Sequence, residues 1–300
     1  MGSEHPVIRK VLSERTQSQE TRQVLYNRLE ELIGRPVLAF FTSFNQPVMI
    51  QDQDVDMIEG VLQKMDLSSG LAVVISSPGG SGLASERLIN VCRAYSGTGE
   101  YWAIVPSKAK SAATMVCFGA SKILMSRTSE LGPVDPQLAF QDDEGVAVHW
   151  SVYNVVKSYK ELFKGAVAEK GNLQPYLQQL GRFDARDIQE YVTEMELSRD
   201  ISVRALKSGM MRSRSKAQIT KKIQVFLTPE QTKSHGRPIT AEEAGRCGLN
   251  IEIHDVKSEF WSACYELYIR ANQFCSTSAS KCVETKDHGY STPNRGKANG

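Results

Sequence analysis

The chain lacks any apolar run long enough to cross a bilayer, so no membrane-spanning helix is expected. No apolar stretch of the secretory kind follows the first residues, MGSEHPVIRK, and position 6 is Pro where a myristoylation signal needs Ser or Thr. Its six cysteines (92, 117, 247, 264, 275 and 282) include no CxxC pair and no repeated spacing. That pattern fits a reduced, cytoplasmic setting, with Cys92 and Cys117 as small buried hydrophobes. Neither GxxxxGK[ST] nor GxGxxG occurs, so no nucleotide-binding signature is present. A net charge of +2 gives no global field for nucleic acid. There is no internal repeat, and nothing calls for a metal or a cofactor.

What is present is an ordinary globular composition, 41% apolar and 23% charged. Three hundred residues allow one or two domains. Residues 12–33 carry Leu12, Leu25, Leu29 and Leu32 at helical spacing, stopped by Gly34 and Pro36. VLAFFTSF (37–44), LAVVIS (71–76), YWAIV (101–105) and KILM (122–125) are strand-like. Helical spacing fills residues 52–65, 83–95 and the small-residue run after Ser111. This alternation predicts an α/β fold with a parallel sheet, its site outside the carboxyl ends of the strands. QLAFQ and VAVHW, joined by DDEG, predict a hairpin.

Residues 150–226 are helical in pattern, broken near Gly171, Pro175 and Gly209, and are expected to form an arm or lid. Their basic stretch (Arg204, Lys207, Arg212, Arg214, Lys216, Lys221, Lys222) reads as a solvated face. It lacks the interleaved aromatics of a single-strand binder. Thr240 and Glu243 predict a capping box. Residues 256–274 predict a last amphipathic helix, and the polar residues after Cys275 predict a disordered tail. The expected division is an N-terminal helical segment (1–34), a catalytic domain (35–255) with its helical insert (about 150–226), a C-terminal helix (256–275) and the tail (276–300).

Three stretches carry chemistry. SSPGGSG (76–82) is a turn whose paired glycines, Gly79 and Gly80, can aim N–H groups at an anion or a carbonyl oxygen. It is equally a tight strand-to-helix turn. In PSKAKSAATMVCFGAS (106–121), Ser111 stands at the entrance of a small-residue helix. Serine is a favoured N-cap, yet a helix N-terminus also supplies free N–H groups, that of Ala112 among them. No base lies close in sequence, because Lys108 and Lys110 sit in a loop whose side chains need not converge. SELGPVDPQ (129–137) holds Asp135 in an extended backbone before Pro136. His235 lies in SHGRPIT, ahead of the capped helix. His149 and His254 fall on strands, and His5 and His288 in the tails.

In this order, SSPGG, VPSKAKSAATMVCFGASKILMS, SELGPVDPQ and HGRPITAEEAGRCGL resemble the ClpP/SppA superfamily of serine peptidases, and most of all its serine dehydrogenase proteinase (SDH) branch. The resemblance spans about residues 35–255. It implies a crotonase/ClpP-like fold of repeated ββα units with an added helical segment. It places Ser111 at the nucleophile and Gly79, Gly80 and the Ala112 amide at the oxyanion hole. Asp135 falls where ClpP has its histidine, and His235 near where ClpP has its aspartate, which gives the order Ser, Asp, His. That order is acceptable because a triad is defined by geometry and roles.

The implied reaction is hydrolysis of a peptide or protein substrate by a serine endopeptidase, with no cofactor, in a homo-oligomer that a regulatory partner can serve. SppA relatives use a lysine base instead, for which Lys157, Lys160 and Lys164 are the candidates. Archaeal-type members often carry an N-terminal membrane segment, and the polar N-terminal helix here does not resemble one. Two other readings stand beside the peptidase: a non-catalytic scaffold or partner-dependent subunit with the same fold, and a crotonase-type acyl-CoA enzyme, which needs no serine.

Overall fold

The computed structural model describes residues 7–8, 19–46, 48–141 and 147–294. In chain order the strands are β1 (Val37–Thr42), β2 (Leu71–Ser76), β3 (Tyr101–Ile104), β4 (Lys108–Ala109), β5 (Lys122–Ser126), β6 (Glu130–Leu131), β7 (Gln137–Gln141), β8 (Ala147–Ser151), β9 (Ile239–Thr240), β10 (Ile251–His254), β11 (Ala279–Glu284) and β12 (Gly289–Pro293). The helices are α1 (Gln23–Ile33), α2 (Asp52–Leu62), α3 (Gly82–Tyr95), α4 (Ala112–Gly119), α5 (Val152–Ala168), α6 (Gln174–Leu180), α7 (Ala185–Ser208), α8 (Lys216–Lys222), α9 (Gln224–Leu227), α10 (Pro229–Thr232), α11 (Ala241–Arg246) and α12 (Glu259–Thr277).

The main sheet runs β10-β5-β3-β2-β1-β11-β12. Its strands are parallel from β10 to β1, and β11 and β12 then close the far edge antiparallel. The period of two along a strand explains why these sequences are apolar throughout. Leu38 and Phe40 of β1, with Leu71, Val73 and Ile75 of β2, face α2, α3 and α4. Val37, Ala39 and Phe41, with Ala72 and Val74, face α1 and α12. A parallel sheet buried on both faces results, as the alternation predicts.

A second, three-stranded sheet, β4-β6-β9, stands beside the carboxyl ends of the main strands. The predicted hairpin forms as β7 and β8, pairing Leu138 with Trp150 and Phe140 with Val148; its DDEG loop lies outside the described residues. The capping box forms too: Thr240 Oγ1 accepts from Glu243 N, and Glu243 Oε2 from Thr240 N.

The structure corrects three expectations. Residues 279–293 are strands, not a disordered tail, and β11 is buried along its whole length. Its polar residues are paired inside the fold: Glu284 accepts from Arg22 and Tyr26, and Lys281 pairs with Asp54. The helical insert is an arm only in its first half: α6 buries no residue and α5 and the start of α7 are largely exposed, whereas the end of α7, α8 and α9 bury Ile201, Leu206, Ile219 and Phe226 in the core over α3 and α4. Of its basic residues, Arg204, Arg212, Lys216 and Lys221 are exposed, as a solvated face requires, while Arg204 also pairs with Glu86 and Asp200, and Lys207 donates to the carbonyls of Arg212 and Arg214. At the N-terminus, α1 begins at Gln23 after a 3-10 turn over Gln19–Arg22, and Leu12 and His5 lie outside the described residues.

Candidate active site

The loops that leave β2 and β3 at their carboxyl ends are stitched together. Ser77 N donates to Lys108 O (3.3 Å) and Lys110 N to Ser77 O (3.0 Å), a parallel bridge that lays SPGG against the entrance of α4. A Cβ on Gly79 would meet the Ser111 Cβ at 2.6 Å, the Lys110 carbonyl oxygen at 2.8 Å and the Ala112 nitrogen at 3.1 Å. Only glycine, at φ 110°, fits there.

Ser111 occupies the N-cap position of α4 but does not cap it: its side chain makes no hydrogen bond to the helix. Its backbone is at φ 50°, ψ −122°, a conformation costly for any residue with a Cβ. The strand β4, this sharp turn and α4 together present the hydroxyl outward from a strained strand-to-helix turn, the arrangement that exposes a nucleophile. All eight residues of α4 are buried. Gly119 lets the helix sit deep, since a Cβ there would lie 2.6 Å from Ile89 side-chain carbons.

Of the three amides expected to bind an oxyanion, Gly79 N–H is already engaged, donating to Ser77 Oγ (3.1 Å), which sits beside Thr42 Oγ1. The bridge that holds the turn uses Ile50 N to Gly79 O (2.8 Å) and Ser81 N to Ile50 O (2.9 Å). It leaves the N–H of Gly80 without a partner among the described residues. The Ala112 N–H opens α4 and has no acceptor within the helix. Among the described residues, Gly80 and Ala112 are therefore the pair of these amides with free donors.

Asp135 is buried, its side chain 1% exposed, and its carboxylate is fully used. Oδ1 faces His235 Nδ1 at 2.7 Å, while Oδ2 accepts from Gln137 Nε2 (2.9 Å) and Ser151 Oγ (3.1 Å). The Asp135 loop is held from both sides. Val134 N donates to Phe226 O (2.7 Å), Ser198 Oγ donates to Val134 O (2.6 Å), and Gly132 N donates to Thr114 Oγ1 on α4 (3.1 Å). The insert thus has a task that its sequence pattern did not reveal. With Nδ1 turned to Asp135, the other ring nitrogen of His235 is the one available for proton transfer.

A cavity of about 950 Å³ joins these groups, lined by Gly79, Gly80, Ser111, Gln137, Ser151 and His235. Met115, Leu197 and Ile201 give it an apolar wall. Ser111 and Lys233, the two described non-glycine residues at positive φ, both line it. No hydrogen bond joins Ser111 to His235; the two share the cavity wall.

The lysines expected as alternative bases are elsewhere. Lys157, Lys160 and Lys164 are exposed on α5 and none lines the cavity; Lys157 pairs with Glu230 at 3.2 Å. Lys110, next to Ser111, turns away to Glu130 (2.7 Å) and the Leu131 carbonyl (3.2 Å). The described residues hold no group of three or more His, Cys, Asp or Glu placed to bind a metal, and no helix among them is long and apolar enough to cross a membrane. Sequence reasoning missed Ser77, Gln137 and Ser151. Ser77 stands in SSPGGSG and Gln137 in SELGPVDPQ, and both could have been weighed, whereas nothing local marks Ser151.

A family model for ClpP-like SDH-type serine proteinases matches residues 7–159, about half of the chain. The chain belongs to this family. The matched span contains Gly79, Gly80, Ser111 and Asp135, and His235 lies beyond it. An uncharacterized protein of Methanocaldococcus jannaschii is 25% identical over 224 residues, which take in 74% of this chain and 64% of that protein. The chain therefore spans less than two thirds of that relative's length.

Two solved chains of the 1510-N membrane-bound stomatin-specific protease are also similar to this member of the SDH-type family. A serine-to-alanine variant shares 14% identity over 69% of this chain and 93% of its own, with a TM-score of 0.30. A lysine-to-alanine variant in complex with a substrate peptide shares 15% over 72% and 92%, with a TM-score of 0.29. At such scores neither bears on the site geometry.

Proposed function

We propose that the protein is a serine endopeptidase in which Ser111 attacks a peptide carbonyl carbon. His235 takes the hydroxyl proton and later delivers it to the leaving amine. Asp135 fixes the imidazole tautomer and stabilises the imidazolium, and the amides of Gly80 and Ala112 receive the oxyanion. Gly79 serves as the space-making residue of the turn, its own N–H being held by Ser77. Water then releases the acyl group from Ser111 in the reverse sequence. The substrate class, a peptide or protein, follows from the family.

The observation that carries this reading is the backbone of Ser111. A serine that merely caps a helix gains nothing from positive φ, and this one does not cap. Strain kept at a cavity wall beside two free amides and a histidine held by a buried aspartate favours a nucleophile over a scaffold. A lysine base is disfavoured because all three candidates face solvent.

The test is hydrolysis of a fluorogenic peptide library by the full chain. Cleavage is expected to vanish in Ser111→Ala and to fall sharply in His235→Ala, and to persist in Lys157→Ala, Lys160→Ala and Lys164→Ala. Loss in one of the lysine variants with His235→Ala still active would transfer the role of base to that lysine.

A further inference from the structure

Lys281 and Asp54 form an ion pair inside the fold, their side chains 7% and 5% exposed. A buried pair of this kind contributes little net stability over apolar residues of the same size. What it does contribute here is position. The Lys281 ammonium has three protons and three acceptors: Asp54 Oδ2 (2.7 Å), Asp54 Oδ1 (2.9 Å) and the carbonyl of Met49 (2.6 Å). Asp54 Oδ2 also accepts from Gln51 N (2.8 Å), one half of the capping box that starts α2. One ion pair therefore holds the backbone on both sides of Ile50.

Ile50, fully buried, is the residue that grips the glycine turn, donating to Gly79 O and accepting from Ser81 N. Gly80 lies between those two bonds, so close that a Cβ on it would meet Ile50 N at 2.3 Å. The direction of the Gly80 N–H is thus set by Ile50, and the place of Ile50 by Lys281. Lys281 itself lies on β11 and does not line the cavity, whereas Met49 does.

We infer that Lys281 is a positioning residue for the reaction proposed above: through Met49 and Ile50 it holds the Gly80 amide where the oxyanion forms. This rests on the Ser111 peptidase reading. Removing one oxyanion donor outright costs on the order of 100- to 1,000-fold in kcat, so displacing one is expected to cost about ten- to a hundred-fold.

The test compares full-length wild type, Lys281→Met and Asp54→Asn. Active sites are titrated with a fluorophosphonate so that rates refer to competent Ser111. The expected result is a kcat per titrated site down about ten- to a hundred-fold with KM unchanged. Affinity for a peptide boronic acid, which forms a tetrahedral adduct on serine, falls by the same factor as kcat/KM. A residue that only supports folding would lower the titratable fraction and leave kcat per site intact, and that result overturns the inference. Should Lys281→Met fail to fold, Asp54→Asn decides in the same way, since it removes the counter-charge and keeps an acceptor for Gln51 N. Wild type lacking any Ser111-dependent labelling overturns the peptidase reading, and the inference with it. Labelled wild type with unimpaired variants overturns the inference alone.

Discussion

The Cβ of Ser111 occupies the space in which a side chain at Gly79 would begin: an added Cβ would lie 2.6 Å from it. The glycine turn and the candidate nucleophile are two sides of one contact. Gly79→Ala is therefore expected to push α4 away from SPGG, destabilising the fold by about 1–3 kcal/mol and lowering kcat/KM at least about 100-fold. Urea unfolding and peptide hydrolysis on one preparation check both numbers. An active, equally stable Gly79→Ala would show that the two loops can part without loss.

Ser111 should be more strained than useful to the fold. Replacing it by glycine removes the Cβ that makes φ 50° costly, and replacing it by alanine keeps that Cβ. Ser111→Gly is expected to unfold about 1 kcal/mol later than Ser111→Ala, after allowing for the extra freedom of glycine in the unfolded chain. Both variants should be inactive. Equal stability of the two would remove strain as an argument for function.

Asp135 accepts from His235, Gln137 and Ser151, so only an isosteric substitution that keeps an acceptor for the buried donors tests its effect on the base apart from the fold. Asp135→Asn keeps its oxygen on the Gln137 and Ser151 donors and so turns its N–H₂ to His235 Nδ1, which must then accept; that is the wrong tautomer, with an expected loss of about 10⁴-fold in kcat. Ser151→Ala removes one of the two donors to Oδ2 and should cost much less. Near-identical kcat in wild type and Asp135→Asn would remove Asp135 from the mechanism.

The thiols give a pH prediction. Burial pushes the Cys92 thiol from 9.0 up to about 12, and desolvation raises Cys117 and Cys264 as well. A raised thiol binds its proton more tightly folded than unfolded. Its stabilisation is therefore complete below pH 9 and is lost as pH rises toward the folded value. Urea unfolding between pH 8 and pH 11 should show a decline that is shallower in Cys92→Ala. Alkylation of the native protein at pH 8 should reach Cys247 first, the one cysteine of the six that is not buried. Modification of Cys92 at a comparable rate would contradict the packing of α3 on α4.

The parts of the site that local chemistry marks were legible in the sequence. Paired glycines after a β-branched run, a serine before a small-residue helix and an aspartate between prolines are each marked within a few residues, and it is their order, through its resemblance to the ClpP/SppA superfamily, that suggested their roles. The strands were legible because both faces of the sheet are covered, which makes each run apolar. What escaped were the polar groups that no motif marks and whose partners are remote in sequence. SASKCVET carries Ser, Lys, Glu and Thr and looks solvated, yet Lys281 meets Asp54 across 227 positions and Glu284 meets Arg22 across 262. Composition reports polarity, and pairing decides burial. Ser77 was missed for another reason: it lies inside the SSPGGSG turn, but only the folded turn shows that its hydroxyl takes the Gly79 N–H two residues on, which leaves Gly80 as the glycine with a free donor among the described residues. The helical insert looked like an arm because its outer face is charged, while Ser198 and Phe226 on its inner side hold Val134, next to Asp135.

The central claim is that Ser111 is the nucleophile and His235 its base. Intact protein is treated with a fluorophosphonate probe and the adduct is mapped by peptide mass spectrometry, for wild type, Ser111→Ala and His235→Ala in parallel. The account predicts a single phosphonylated residue, Ser111, no adduct in Ser111→Ala, and strongly slowed labelling in His235→Ala. An adduct on another serine, or labelling that survives Ser111→Ala, contradicts it.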